Sequence, residues 1–308
     1  MLTRKCLLLA MVESVYGTDP GPTTGSHAII GFNPEITLET DPLERVDVGL
    51  SLSRLKELGG KRRMKITFET ELRGSGAAGT APEGLSALFQ ACGLGETVSG
   101  GVSVTYAPVS ASMKSCTIYM YLDGALFKLI GAIGDFELSV KAGEVAKIKW
   151  TMSALYATPS DLSFPTSFTP DGTVPVVAKN LTATFDSYAA IIQELTLKMN
   201  NTIAERADLT ATHGIRGYQI TDRNPDGTLK IESVLLAAKN FFTKYEADTV
   251  QVLSVAYGSV AGNICTITAS QARIRQIGYE DADGIVATPI EFQLSRSSGN
   301  DEIGIVFT

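Results

Sequence analysis

Metal-binding and base-forming side chains are scarce in this chain. It has two histidines and four cysteines among 308 residues. His27 and His213 do not lie at metal-ligand spacing from any cysteine or carboxylate, which argues against a zinc centre of ordinary pattern. Cys6, Cys92, Cys116 and Cys265 form no C-x-x-C and no paired spacing with histidine. They read as small buried apolar residues of a reducing compartment, not as a disulfide framework. Long apolar runs are absent as well. The longest early stretch, Cys6 through Val12 behind Arg4-Lys5, runs into Glu13 without a small-residue cleavage site, so it reads as a first strand and not a signal peptide. Nothing approaches the ~20 apolar residues of a membrane span, so no membrane partner is expected and the sequons at Asn180 and Asn200 carry no weight. Basic clusters are few: Lys61-Arg62-Arg63 is the compact one, and the net charge is −7. That balance argues against a general nucleic-acid binder, which needs clustered cations to neutralise phosphates.

What is present is a folded composition with 44% apolar and 19% charged residues, long enough for two domains. The second half repeats the order of the first. Ile36-Thr-Leu38-Glu39 and Glu44-Arg45-Val46-Asp47 are echoed about 160 residues later by Leu195-Thr-Leu197-Lys198 and Glu205-Arg206-Ala207-Asp208. Met64-Lys65-Ile66 is echoed by Leu229-Lys230-Ile231, Phe136-Glu137-Leu138 by Ile274-Arg275-Gln276, and Ile148-Lys-Trp150 by Ile290-Glu-Phe292. Two copies are too few for a solenoid and suggest fused copies of a unit that once assembled in a symmetric ring.

Alternating strands dominate both halves, as in 64–72, where Met64, Ile66, Phe68 and Leu72 face away from Lys65, Glu69 and Glu71. Asp123-Gly124 predicts a tight hairpin turn, and Asp281-Ala-Asp283-Gly284 another. Two helices are expected, over 82–91 and 233–245, the second from a stripe of Val234, Leu235, Ala238, Phe241, Phe242 and Tyr245. Residues 158–176 hold four prolines and read as a linker. The domains are therefore expected at 1–160 and 176–308, with 161–175 between them. Two strand-poor stretches, 40–63 and 199–228, occupy equivalent places and read as functional loops.

Chemical motifs are weak. Gly74-Ser-Gly76-Ala-Ala-Gly79 spells a dinucleotide fingerprint, but the following helix opens only at Pro82 and the flanking strands alternate like antiparallel ones. A small-residue loop is the better account. Asp222-Arg-Asn224-Pro-Asp226-Gly227 resembles the start of a calcium loop, yet the twelfth position is Ser233 and no helix precedes it. Glu69 and Glu71 share one strand face and could in principle serve a glycosidase, although solvated face charges are commoner. Trp150, Phe136, Phe89, Phe241 and Phe292 read as core, not as a base-stacking platform. No catalytic residue, metal site or cofactor is predicted.

Several stretches together resemble the tail tube (major tail) proteins of long, non-contractile-tailed bacteriophages. They are Leu8-Leu9-Ala10 through Pro20, Glu71-Leu72-Arg73-Gly74 through Pro82, Leu88 through Gly93, Val104-Thr105-Tyr106-Ala-Pro108, Ile220-Thr221-Asp222-Arg223 through Gly227, and Ser297-Ser298-Gly299-Asn300-Asp301-Glu302. The resemblance implies a mainly β protein: two tandem antiparallel β-sandwich or half-barrel domains, each with one flanking α-helix. It implies rings built from the chain itself, trimeric with pseudo-sixfold symmetry in the duplicated form, stacked into a virion tail tube and made in the bacterial cytoplasm. Its partners would be the tail terminator, tape measure and distal tail proteins, while genomic DNA passes through the lumen without specific binding. Acids on polar strand faces (Glu69, Glu71, Glu137, Glu232 and Glu291) are then expected to line that lumen. Asp41, Glu44, Arg45, Lys61, Arg62, Arg63, Asn200, Glu205, Arg206, Asp208, Asp222 and Arg223 are expected on loops that contact neighbouring rings. The competing readings are a head–tail joining or terminator protein and a carbohydrate-binding β-sandwich.

Overall fold

In the computed structural model, which describes residues 2–170 and 172–308, the chain is built almost wholly of antiparallel strands. The first half contains β1 (Cys6–Val12), β2 (Ala28–Ile29), β3 (Gly31–Leu43), β4 (Leu58–Glu71), α1 (Leu85–Ala91), β5 (Leu94–Ser99) and β6 (Ser103–Pro108). It continues with β7 (Cys116–Leu122), β8 (Ala125–Lys141), β9 (Lys147–Leu155) and β10 (Ser160–Asp161). The second half contains β11 (Thr182–Phe185), β12 (Ile192–Lys198), β13 (Asn201–Ala207), β14 (Ile215–Arg223), β15 (Asp226–Glu232) and α2 (Phe241–Glu246). It ends with β16 (Val250–Tyr257), β17 (Cys265–Ile277), β18 (Glu280–Ala282), β19 (Ile285–Leu294) and β20 (Gly304–Phe307).

The pairings run in the same order in both halves. In the first, β1 pairs β7, β7 pairs β8, β8 pairs β9, β9 pairs β4 and β4 pairs β3. In the second, β11 pairs β16, then β17, β19, β15 and β12 follow in turn. The short β10 and β20 lie against the N-terminal parts of β8 and β17. The register agrees locally, with Phe136 opposite Trp150 and Ile274 opposite Phe292. The halves also join. The end of β8 pairs β12, Leu138 opposite Leu197, and β20 pairs β6, Phe307 opposite Val104.

Period-two alternation explains the layers. Met64, Ile66 and Phe68 of β4 and Ile148, Trp150 and Met152 of β9 are buried, while the intervening residues face solvent. Phe89 of α1 lies at the middle of this core. Its ring centroid is 5.0 Å from Tyr106, 5.5 Å from Phe136, 5.2 Å from Trp150 and 6.4 Å from Phe307. Full burial of each such ring stabilises the fold by about 1.5–3 kcal/mol. The same core continues into the second half, where it gathers Phe185, Phe241 and Phe292.

Asp123-Gly124 forms the predicted two-residue turn, with φ of 36° and 105° between paired Leu122 and Ala125. Other expectations need correction. Both helices start later than the pattern suggests. The first opens at Leu85, because Pro82 to Gly84 form a turn, and Gly84 has φ 71°. The second spans only Phe241–Glu246. Asn240 caps it by accepting from the amides of Phe242 and Thr243, and Leu235, on the expected stripe, is 82% exposed. The stretches 40–63 and 199–228 are not strand-poor. β3 and β4 form a long hairpin that leaves only 44–57 as loop, and β13 with β14 forms a separate two-stranded arm. Polar side chains at many positions of both hairpins blurred the alternation that marks a half-buried strand. The proline-rich stretch is tied down at three points: Leu162 donates to the Gly124 carbonyl, Thr169 to that of Thr24, and Tyr257 to that of Val176.

Candidate assembly surface

The solvent side of the joined sheet carries the nominated acids in a regular order. Across seven adjacent strands, Glu69 faces Lys149, which faces Glu137, then Lys198, Asp226, Gln293 and Arg273. A second row runs Glu71, Lys147, Ser139, Thr196, Thr228, Glu291 and Gln276. A third begins Lys141, Glu194, Lys230. Ion pairs link Lys147 to Glu69 at 3.5 Å, Lys198 to Glu137 at 3.6 Å and Lys141 to Glu194 at 3.3 Å. Glu232 stands at the end of β15 opposite Ala287. The first row is thus a ladder of alternating charge from Glu69 to Asp226, as opposite-charge cross-strand neighbours stabilise a sheet and like ones destabilise it.

The two hairpins meet each other. Lys61 and Arg63 of β4 bind Glu205 of the arm at 2.5 and 3.5 Å, and Arg63 also holds Glu39 at 2.6 Å and Asp41 at 2.8 Å. The hydrogen bond to Glu39 pushes the Arg63 guanidinium up, and in return holds the Glu39 carboxyl below its usual range. Arg62 lies over the Tyr156 ring, whose edge meets His213 at 4.8 Å. Asp208 accepts from the amide and hydroxyl of Thr210, fixing the turn at the arm's tip. Glu44 pairs with Arg54 across the exposed loop that also carries Arg45 and reaches the β3–β4 stem. Asn200 donates to the Asn224 carbonyl, and Asp222 accepts from the amide of Arg223. Arg206 lies on the arm opposite Gly217. Arg223 is committed within the chain: its guanidinium donates to Glu302, to Asn300 and to the Val109 carbonyl at 2.9 Å.

Residues that the sequence reading passed over hold the arm in place. The Tyr16 hydroxyl donates to the Gly131 carbonyl at 2.9 Å and accepts from the Tyr218 amide at 2.8 Å. Burial raises the Tyr16 hydroxyl pKa and pushes that of Tyr218 up to about 12. Asn201 donates to the carbonyls of Cys92 and Gly134.

The glycine-rich loop has a packing explanation. A Cβ on Gly74 would lie 2.1 Å from the Gly262 carbonyl oxygen, and the Gly74 amide donates to the Asn263 side chain at 2.8 Å. These glycines let two backbones touch across the halves. In the stretch resembling a calcium loop, Asp226 faces Lys198 and Arg223 binds Glu302. Among the described residues no group of histidine, cysteine and carboxylate side chains is arranged to hold a metal, and no helix is long and apolar enough to cross a membrane. Cys92, Cys116 and Cys265 are buried, and burial pushes all three thiols up.

Compared with known families, residues 3–294 match the family described as phage tail tube protein. No curated protein matches the chain in sequence.

Proposed function

The chain belongs to the phage tail tube protein family, and from that membership we propose that three copies close a ring with pseudo-sixfold symmetry, and that rings stack into the conduit for the genome. A structural tail tube protein works by self-assembly, so its functional site is its set of contact edges. The observation that carries the proposal is the internal junction between β8 and β12. There the edge left over in the first half, beyond the end of β7, is capped by β12 of the second half. The second half repeats the same strand order, and β17 beyond Arg273 has no partner opposite β19 among the described residues. β3, the counterpart of β12, is paired only on its β4 side among the described residues. Each chain thus offers one donor and one acceptor edge of a kind already joined inside it. Free edges of this length call for a partner, and a head-to-tail contact that closes makes a ring.

In this arrangement the polar ladder faces the lumen, and the outer surface belongs to the other side of the sandwich. Glu69, Glu71, Glu137, Glu232 and Glu291 would then be lumenal. Because Glu69, Glu71 and Glu137 stand opposite lysines, the lining repels phosphate more weakly than free carboxylates would. The remaining tail partners are the terminator, tape measure and distal tail proteins at the tube's ends and core. Native mass spectrometry of tube fragments, with averaged end-on micrographs, tests the reading. Rings with a mass of three chains are expected. Rings of six full chains, or a protein that stays monomeric at high concentration, would overturn it.

A further inference from the structure

The loop at 44–57 is an unpaired amphipathic strand. Val46, Val48, Leu50 and Leu52 occupy every second position, separated by Asp47, Gly49 and Ser51 and followed by Ser53. That period belongs to a strand with one buried face. Yet the four side chains are 78%, 105%, 111% and 106% exposed, and no strand pairing involves 44–57 among the described residues. The loop projects from a rigid stem in which Leu43 pairs with Leu58 and Pro42 with Gly59. A row of fully exposed aliphatic side chains in one phase marks a contact surface.

The second half leaves part of the matching edge open. In the first half, the outer edge of β1 is covered by β2, with Leu8 opposite Ile29 and Leu9 opposite Ala28. Its counterpart β11 pairs with β16 on one side; on the other, Phe185 exchanges both backbone hydrogen bonds with Tyr188, and no strand covers Thr182 to Thr184 among the described residues. Beside β11 lies an apolar groove of about 380 Å³ whose lining includes Leu181, Ala183, Ala190, Ile192 and Val255. An exposed edge next to an apolar groove is the arrangement that takes an added strand: main-chain bonds hold it and alternate side chains enter the groove.

We propose that residues 46–53 of one copy add as a strand to the outer edge of β11 in another copy, with the valines and leucines turned into that groove. The partner is a second copy because the family to which the chain belongs assembles from its own subunits. The inference rests on the tube reading but adds to it the segment, its phase and its receiving edge. It also explains why the loop keeps strand alternation while unpaired.

The test compares two double variants in the full chain. L50S/L52S alters the apolar phase, and S51T/S53T alters the polar phase with residues that favour strands. Burial of one leucine is worth at least about a tenfold change in an association constant. L50S/L52S should therefore raise the concentration needed for tubes more than ~tenfold and leave circular dichroism and the monomer's melting unchanged. S51T/S53T should assemble like the parent. In a third variant, L50C/A183C, oxidation should link chains into covalent oligomers in tubes and leave dilute monomers unlinked. Equal loss in both double variants, normal assembly of L50S/L52S, or no linkage within tubes would each overturn the proposal. A parent protein that never forms tubes would instead refute the tube reading itself.

Discussion

Glu13→Gln exchanges one oxygen for an amide group and should nevertheless cost the first half about 2–4 kcal/mol. Glu13 is 2% exposed, and among the described residues its carboxylate is bonded by hydroxyl and amide donors. Its carboxylate is held by donors alone: Thr117 hydroxyl and Gly131 amide on one oxygen at 2.6 and 2.7 Å, Ser115 hydroxyl and Gly17 amide on the other at 2.6 and 2.8 Å. A carboxamide presents one oxygen and one NH₂ group. Whichever way it turns, the NH₂ meets one hydroxyl, which can rotate to accept, and one backbone N–H, which cannot. One charge-assisted bond, worth about 1.5–3 kcal/mol, is lost, and a buried amide donor is left unsatisfied. Trp150, the sole tryptophan, is fully buried in the first-half core, so its fluorescence in urea reads this unfolding directly. The midpoint should fall with little change in slope. Glu13→Ala, which removes the acceptor for all four donors, should cost at least as much. Glu13 and Tyr16 both bind Gly131, so faster amide exchange at Tyr218 on the arm should accompany the loss. A shift below about 1 kcal/mol, the net worth of an ordinary hydrogen bond, would refute the account.

Three further outcomes follow from the same geometry. Gly74→Ala should destabilise by about 1–3 kcal/mol in the same urea assay, because its Cβ would meet the Gly262 backbone and neither segment can yield cheaply. An unchanged midpoint would show that the contact is loose. Hydrogen bonds from the amides of Ser297, Ser298 and Gly299 and the Ser298 hydroxyl lower the Asp301 carboxyl to about 2. Its folded value lies below the unfolded one, so the turn's support is complete above the ordinary carboxylate range and is lost as pH falls toward about 2. An NMR titration midpoint near 4 would contradict this. Finally, E69K/E71K sets lysines opposite Lys149 and Lys147; tubes should still form, with genome ejection slowed in a DNA-release assay, and normal ejection would move these side chains off the lumen.

Much of this architecture was legible because strands announce themselves by alternation. Met64 to Leu72 and Lys147 to Met152 lie with the expected faces inward, and Asp123-Gly124 makes the expected turn. The order of the two halves was also readable, since fused copies keep their sequence of elements even when identity fades. What escaped was set by contacts distant in sequence. The arm at 199–228 looked like a loop because its strands pair only with each other and bury little: Ile203, Tyr218 and Ile220 are the apolar side chains it packs against Ile133. The second helix is short because 233–240 has little to pack against, so its apolar stripe remains outside, and a stripe without a partner does not hold a helix. Glu13 looked like the end of an apolar run, because no local pattern shows that its four donors come from residues up to 118 positions away. Arg223 sat in a motif suggestive of a surface contact, while its guanidinium is taken by Glu302, Asn300 and Val109.

With the charge ladder in the lumen, as proposed, assembly and transport would make opposing demands on one face. A conduit for DNA gains from lumenal carboxylates, since their summed field repels phosphate over a Debye length of ~8–10 Å. A sheet loses from them, because facing side chains on adjacent strands stand about 4.5–5.5 Å apart and like charges at that distance cost stability. Glu69, Lys149, Glu137, Lys198 and Asp226 satisfy the sheet: every cross-strand neighbour in this row is of opposite sign. On the proposed lumenal placement, the lining would thereby be hydrated and charged yet nearly neutral along each row. Such a surface gives DNA no run of cations to bind, which is what passage without adhesion requires. On this argument the alternation of the charges matters more than their sum, and reversing all five charges of the row together (E69K, K149E, E137K, K198E and D226K) should preserve the ladder, where E137K alone sets a lysine against both Lys149 and Lys198 and breaks it.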